Sequence, residues 1–332
     1  MESRRTFINK LGMGTFFSAL AFSHAGVARA FPGKWPSGIT GDKPIRIGII
    51  GAENSHTRGF GKLFNIDKKF PGVEVLYVWG ETEEFARDAV ERGGIPNMVK
   101  DPEEMLGKID ALIVDHRHGK YHLEAATPFV KEGIPTFIDK PFCYRVSEGV
   151  EFLKMARELG TPVTSYSSIA HTDSTLDMKK QLESMGEVTH VVTYGRADLD
   201  SKYGGIFYYG VHTVQPLMYL FGEDISKVRI TQNGENATAS LAFENGLLAT
   251  IIFKRIHYGW GTYVETKEGT IKLESRVEEA DPPKHYADMV EMFRTGKEPR
   301  SHQSIINCVA VLEALEKSVK SDQWEEVKYP VL

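Results

Sequence analysis

The sequence predicts an α/β chain: a doubly wound parallel sheet, followed by an α+β unit on an open, mostly antiparallel sheet. Three observations carry this. Up to about residue 165, short β-branched runs alternate with amphipathic helical stretches. Beyond about residue 175, apolar residues recur at every second position around Asn-Gly and Glu-Gly turns. Between Ile45 and Phe60, in "IRIGIIGAENSHTRGF", an apolar strand runs into Gly51 and then into a helical pattern. Strand–helix alternation gives a parallel sheet covered on both faces. Period-two alternation around such turns gives hairpins.

At the N-terminus, "SRRTFINK" precedes the apolar "LGMGTFFSALAF" and the small-residue end "VARA" at Ala30. A charged region, a short apolar region and small residues make a cleavable signal peptide over residues 1–30 rather than a stable membrane anchor. The apolar run is too short, and too broken by glycine, to span a bilayer. Arg4-Arg5, with Phe7 and Ile8 behind them, resembles a twin-arginine signal, so a periplasmic or secreted location is expected. Cleavage removes Arg4, Arg5, Lys10 and Arg29 against Glu2, a net +3, which moves the charge from −5 to about −8.

Next come "IRIGIIG", "VEVLYVW", "ALIVD", "PTFID" and "TPVTSY", each read as a strand buried on both faces. The helical stretches between them are "TEEFARDAVERG", "DPEEMLGK", "YHLEAATPFVKEG" and "SEGVEFLKMARELG", several of which end in glycine, as a helix C-cap requires. They define a first domain over residues 44–165. Residues 166–332 form the second, with strands in "EVTHVVTYG", "KVRITQNG", "ATASLAFENGLLATIIFK" and "GTYVETKEGTIKLES". Helical patterns run from Val211 to Leu220 and from Ile305 to Lys320; the last helix is expected to fold back on the first domain. A chain of 332 residues, 41% of them hydrophobic, suits two domains with a large core. Its negative charge and lack of any Lys/Arg run exclude a nucleic-acid partner. Cys143 and Cys308 cannot build a disulfide framework and read as buried thiols.

The stretch from Gly51 has the form of a dinucleotide loop, yet Glu53 and His56 stand where the second and third glycines are expected. Ala52, Asn54 and Ser55 complete the candidate loop. Asn54 and Ser55 suit a helix N-terminus, whose free amides favour anions. Glu81, just past the second strand, is placed to reach ribose hydroxyls. No arginine stands there for a 2′-phosphate, so NAD is favoured over NADP. Whether Glu53 faces the phosphates or turns away is left open.

"FIDKPF", with Asp139-Lys140-Pro141, and "GGIFYYGVHTVQPLMYLFG", with His212, resemble the glucose-fructose oxidoreductase / inositol dehydrogenase / rhizopine-catabolism family, as does the ending "MFRTGKEPRSHQSIINCVAVLEALEKS". The resemblance covers nearly all of the chain after the signal. It implies a Rossmann-type first domain, bound NAD(P) and oxidation of a sugar or polyol hydroxyl. Lys140 would stabilise the developing oxygen charge, and His212 would take the hydroxyl proton with Tyr208 assisting. The chain departs from the family at Asp139, usually Glu, and at Gln215, usually Asp. Asp139 is expected to orient Lys140 beside the cofactor. A homo-oligomer, dimer or tetramer, is implied as well.

Asp200, Lys202, Tyr203, Tyr209 and His257 are candidates for the sugar, since aromatic faces and a hydroxyl-binding rim match a pyranose. "VDHRHGKYH" holds Asp115, His116, His118 and His122 in a spacing that matches no specific metal pattern, so no metal is assigned. His118 is instead expected along the cofactor cleft. Two further functions remain open on the same residues. One is a redox-neutral glycosidase or lyase working through a keto-sugar; the other is a non-catalytic sugar-binding protein that has lost its nucleotide.

Overall fold

The computed structural model describes residues 43–255 and 259–332; the signal-like residues 1–30 lie outside them. Strand β1 (Ile45–Ile50) opens a six-stranded sheet with β2 (Val73–Trp79), β3 (Asn97–Met98), β4 (Ala111–Val114), β5 (Thr136–Ile138) and β6 (Val163–Thr164). Every pairing is parallel, in the order β3-β2-β1-β4-β5-β6. The central strands are mostly apolar because both faces are covered: Ile45, Ile47, Ile49 and all of Ala111–Val114 are inaccessible to solvent. Strand order reverses between β1 and β4, which opens a crevice at their carboxyl ends. Helices α1 (Ser55–Gly61), α2 (Glu83–Gly93), α3 (His122–Lys131) and α4 (Val146–Leu159) flank the sheet.

The second domain runs through α5 (Asp173–Glu183), β7 (Val188–Arg196), α6 (Ile206–Phe221), β8 (Ile225–Asn233), β9 (Asn236–Phe243), β10 (Leu248–Lys254), β11 (Gly261–Thr266) and β12 (Gly269–Leu273). It ends with α7 (Lys284–Thr295), α8 (His302–Ser321) and β13 (Glu325–Glu326). The sheet order is β12-β11-β7-β10-β9-β8-β13. All pairings are antiparallel except β7 with β10, which run side by side in the same direction. The inner face carries Val191, Ala249, Ile251 and Phe253. Helix α6 lies close on it, since a Cβ at Gly195 would stand 2.2 Å from the Thr213 methyl. That close approach brings His212 over the crevice.

Two helices escape the sequence reading. α5 has only Leu176 and Met178 and Leu182 among polar residues, so its apolar stripe is thin. α7 follows Pro282-Pro283 and buries Met289, Val290, Met292 and Phe293 in the core of the first domain, on the side of β1, β2 and α1. Helix α8 packs on α4, α6 and β8, so it touches both halves. Among the described residues no helix is long and apolar enough to cross a membrane.

Candidate active site

Gly51 ends β1 with φ at +104°, and a Cβ there would lie 2.7 Å from the Asp115 carbonyl carbon and the His116 nitrogen. Only glycine fits both constraints. Asn54 then caps α1, its Oδ1 accepting from His56 N at 3.3 Å. The amides of Ala52 and Glu53 point the same way and donate to one oxygen of Glu81 at 2.8 and 2.9 Å. The other Glu81 oxygen faces His116 Nδ1 at 2.8 Å. The loop therefore binds an anion, and a side chain of the same molecule supplies it. Burial alone would raise the Glu81 carboxyl, but the bonds from His116 and the loop amides outweigh it and bring it to about 2.

Glu53 points elsewhere. Its carboxylate accepts from the Tyr203 hydroxyl and lies 3.9 Å from Lys202 Nζ, both on the second domain. Its backbone carbonyl accepts from Arg117 Nε at 3.1 Å. The question left open by the sequence is answered: the Glu53 side chain spans the crevice and leaves the loop amides free of its charge.

Beneath the loop lie Asp115 and Asp139, both buried. Asn54 Nδ2 donates to both, at 2.8 and 3.2 Å, and Thr57 Oγ1 donates to Asp115 at 2.5 Å. His56 Nδ1 is 2.9 Å from Asp139 Oδ2, and Lys140 Nζ is 3.8 Å from the same oxygen. Burial and the neighbouring Asp139 charge push Asp115 well above the usual carboxylate range. Asp139 moves the opposite way: its burial is outweighed by the charges of His56 and Lys140, which hold it ionised. Their neighbours thus pull the two buried carboxyls in opposite directions. His56, Asp115 and Asp139 are close enough to chelate a metal ion. The space between them, however, is already served by the Asn54 amide and the Lys140 ammonium, donors that a cation would have to displace.

Lys140, at the carboxyl end of β5, is buried, with Nζ 5.7 Å from the centre of the Tyr209 ring. His212 is buried too; its Nδ1 is 2.7 Å from Ser167 Oγ, and its ring stands 5.6 Å from Tyr209 and 6.2 Å from Trp260. Burial first, then the charges of Lys140 and His56, hold His212 well below the ordinary imidazole value, so it is a neutral base. Gln215 accepts from Ser167 N and fixes that serine. Tyr208 sits in an aromatic row, 4.9 Å from Tyr203 and 4.6 Å from Tyr209. Lys140, His212, Tyr208, Tyr209 and Tyr203 thus come together with His56 and Asp139 along one cleft.

Other sequence candidates lie apart. His118 caps the turn before α3, accepting from Lys120 N at 3.3 Å, with its ring 4.8 Å from Tyr144. It does not touch the loop. Asp200 is 67% exposed and faces Arg255 at 3.9 Å. Lys202 reaches Glu53 and lies 4.8 Å from the centre of the Tyr203 ring. Ser55 is exposed at the first position of α1, and His257 lies outside the described residues. The histidine-rich stretch disperses. His116 serves Glu81, while His122 bridges the Pro141 and His116 carbonyls at 2.8 Å each. Ser167 and Thr57 were not singled out from the sequence; a hydroxyl just beyond a buried strand or at a helix start gives no periodic signal.

The residues fit a dinucleotide. The loop amides bind an anion, Gly51 leaves no Cβ in the way, and an acid stands at the end of β2. Residues 45–167 match the profile of the oxidoreductase family with an NAD-binding Rossmann fold. A comparison with curated proteins finds no match. Among solved structures, the chain is similar to myo-inositol dehydrogenase from Lactobacillus casei in complex with NAD(H) and myo-inositol. The TM-score is 0.73 at 14% identity, over 87% of this chain and 98% of that one. It is also similar to myo-inositol 2-dehydrogenase from Lactobacillus plantarum, with a TM-score of 0.74 at 18% identity over 86% and 100% of the two chains. A third, GenD2 from gentamicin A biosynthesis in complex with NAD, gives 0.73 at 14% identity over 86% and 97%. At such identities these likenesses establish the fold.

Proposed function

We propose that the protein is an NAD-dependent dehydrogenase of a secondary alcohol on a polyol or sugar ring; the match of residues 45–167 to the profile of an oxidoreductase family with an NAD-binding Rossmann fold supports this. The observation that carries this is the pairing of Lys140 with the neutral base His212 across a cleft walled by Tyr209 and Trp260, beside an anion-binding loop. Bound NAD supplies a hydride acceptor. In the tautomer that donates Nδ1–H to Ser167 Oγ, His212 presents Nε2 to the alcohol and takes the hydroxyl proton. Lys140 places positive charge against the same oxygen as a carbonyl forms. Tyr208 and Tyr209 offer an apolar ring face with hydroxyls at its edge. Holding the nucleotide requires Glu81 to release the loop amides and take the ribose hydroxyls instead. Its carboxylate would repel a 2′-phosphate, which supports NAD over NADP.

The signal-like N-terminus supports twin-arginine export and a periplasmic or secreted site. Free NAD is scarce there, so the nucleotide would travel bound and be recycled in place. Purified mature protein should release NAD(H) on denaturation, identified by mass, and should reduce it with myo-inositol or a related ring polyol. Protein that neither carries nor takes up NAD refutes the reading. For assembly, the outer sheet face with Val192, Leu248 and Ile252 exposed supports a homo-oligomer. Ile252→Lys should then lower the mass seen by sedimentation.

A further inference from the structure

We propose that the protein holds a second ligand, a small oxyanion of the phosphate class, at a basic site where α5, α6, α7 and the start of α8 meet. The site does not depend on the dehydrogenase reading. Its centre is Arg300, two residues before α8. A guanidinium carries five N–H donors. The side chain of Arg300 makes one hydrogen bond among the described residues, from Nε to His171 Nε2. Its Nη2 is buried with no partner among them. A buried polar group left in that state marks a place for an ion or water. The charge is not cancelled by His171, which burial brings down to about 4, so that it accepts as a neutral ring. Lys179 of α5 adds a second cation. Its Nζ lies 4.2 Å from the centre of the Tyr219 ring, and the Arg300 Cζ lies 5.0 Å from the same ring centre. Burial pulls both cations below their ordinary values, and the charge of Arg300 lowers Lys179 further.

The carboxylates nearby are engaged elsewhere. Asp288 accepts from Lys284 Nζ at 2.7 Å and lies 3.7 Å from His171 Nδ1. Glu223, whose charge reaches both cations through space, accepts from Ser304 Oγ and from Asn307 Nδ2. Among the described residues no ion pair joins Arg300 or Lys179 to a carboxylate, and the one bond of the Lys179 ammonium goes to the Tyr219 carbonyl at 2.8 Å. Arg300, Lys179 and Tyr219 are each partly exposed, so solvent and small ions reach them. A planar guanidinium fork matches two oxygens of a phosphate, and an ammonium supplies a point charge to a third. A carboxylate has only two oxygens in one plane, which suits this arrangement less well. Tyr219 lies seven residues beyond His212 on α6, about 10 Å along the helix, so the site stands behind the cleft rather than in it. The two are joined by one turn. Ser167, which holds His212, begins it, and His171, which holds Arg300, ends it. An oxyanion that fixes Arg300 therefore steadies the support of His212.

The test uses the purified protein saturated with NAD, so that the loop amides are occupied. Inorganic phosphate and, separately, glycerol 3-phosphate are titrated by calorimetry at an ionic strength held constant with chloride. The better of the two should bind with a Kd below about 1 mM, and which one it is tells a free ion from a phosphomonoester. Arg300→Lys keeps the charge and removes the fork; it should weaken binding by at least about tenfold. Lys179→Gln, on a partly exposed helix face, should fold and weaken it by a similar factor. Lys267→Gln, 84% exposed and paired with Glu187, should leave it unchanged. Hydrogen exchange read by mass spectrometry should slow over residues 168–172 and 298–304 when phosphate is added, with no change over 51–57. Binding of neither probe, affinity unchanged in both Arg300→Lys and Lys179→Gln, or protection confined to 51–57 each overturns the proposal. Protein that takes up no NAD but binds phosphate with protection at 168–172 refutes the dehydrogenase reading and leaves this site standing.

Discussion

At Gly51 a single methyl group tests how the loop is built. In Gly51→Ala the new Cβ meets backbone atoms of Asp115 and His116 at 2.7 Å, with φ already at +104°. The cost should exceed ~1 kcal/mol, read from urea unfolding, because neither atom belongs to a side chain that can turn aside. Glu53→Gly should do much less to nucleotide binding, changing it within ~1 kcal/mol by titration calorimetry. Its carboxylate is engaged with Tyr203 and Lys202 rather than with the loop amides. A large gain of affinity in Glu53→Gly would mean that this carboxylate blocks the natural site. Acid sensitivity is also a residue-scale property. Burial brings His122 and His171 from 6.5 down to about 4. Between those values the unfolded chain binds protons that the folded chain refuses, so their stabilisation is complete above pH 6.5 and is lost as pH falls towards 4. Urea midpoints should decline over that window, and His122→Gln should flatten part of the decline.

Among the elements, α1 and the turn before it carry the most chemistry in the fewest residues. Asn54 caps the helix and also donates to Asp115 and Asp139. Asn54→Ala should therefore destabilise by ~1–3 kcal/mol, since it strips a donor from two buried carboxyls. Chemical denaturation gives the value; a loss no larger than a simple cap would show that water replaces the amide. This turn also marks how far the sequence could be read. The strand, Gly51, the helix start and the cap are local properties, and all were legible. Legible too were Lys140 and His212, which sit on motifs. Glu81 on the loop amides was not, because it joins residues 28 and 29 positions apart across two strands. The same holds for His56 on Asp139, 83 positions away. Asp200 illustrates the opposite error. Its neighbours in sequence reach the cleft, but in its own loop the side chain finds Arg255 instead.

For the molecule as a whole, the cleft is framed by two domains whose sheets differ in grammar but whose cores are not separate. One buried cluster runs from β4, β5, α3 and α4 through α6 and α8 to the inner face of the second sheet. The other joins β1, β2 and α1 to α7, a helix contributed from nearly the end of the chain. The crevice is therefore closed by side chains such as Tyr203 and Arg117 over a base that does not hinge freely. Helix α8, seated on α4 and α6 and β8 alike, has a consequence for how the protein comes apart. Neither half can shed it without exposing Ile306, Val311, Leu312 and Leu315, all of them inaccessible to solvent. Melting one domain must then melt the other. Scanning calorimetry should record a single endotherm whose integrated heat equals its van't Hoff enthalpy, as for a chain that has two sheets but only one thermodynamic unit.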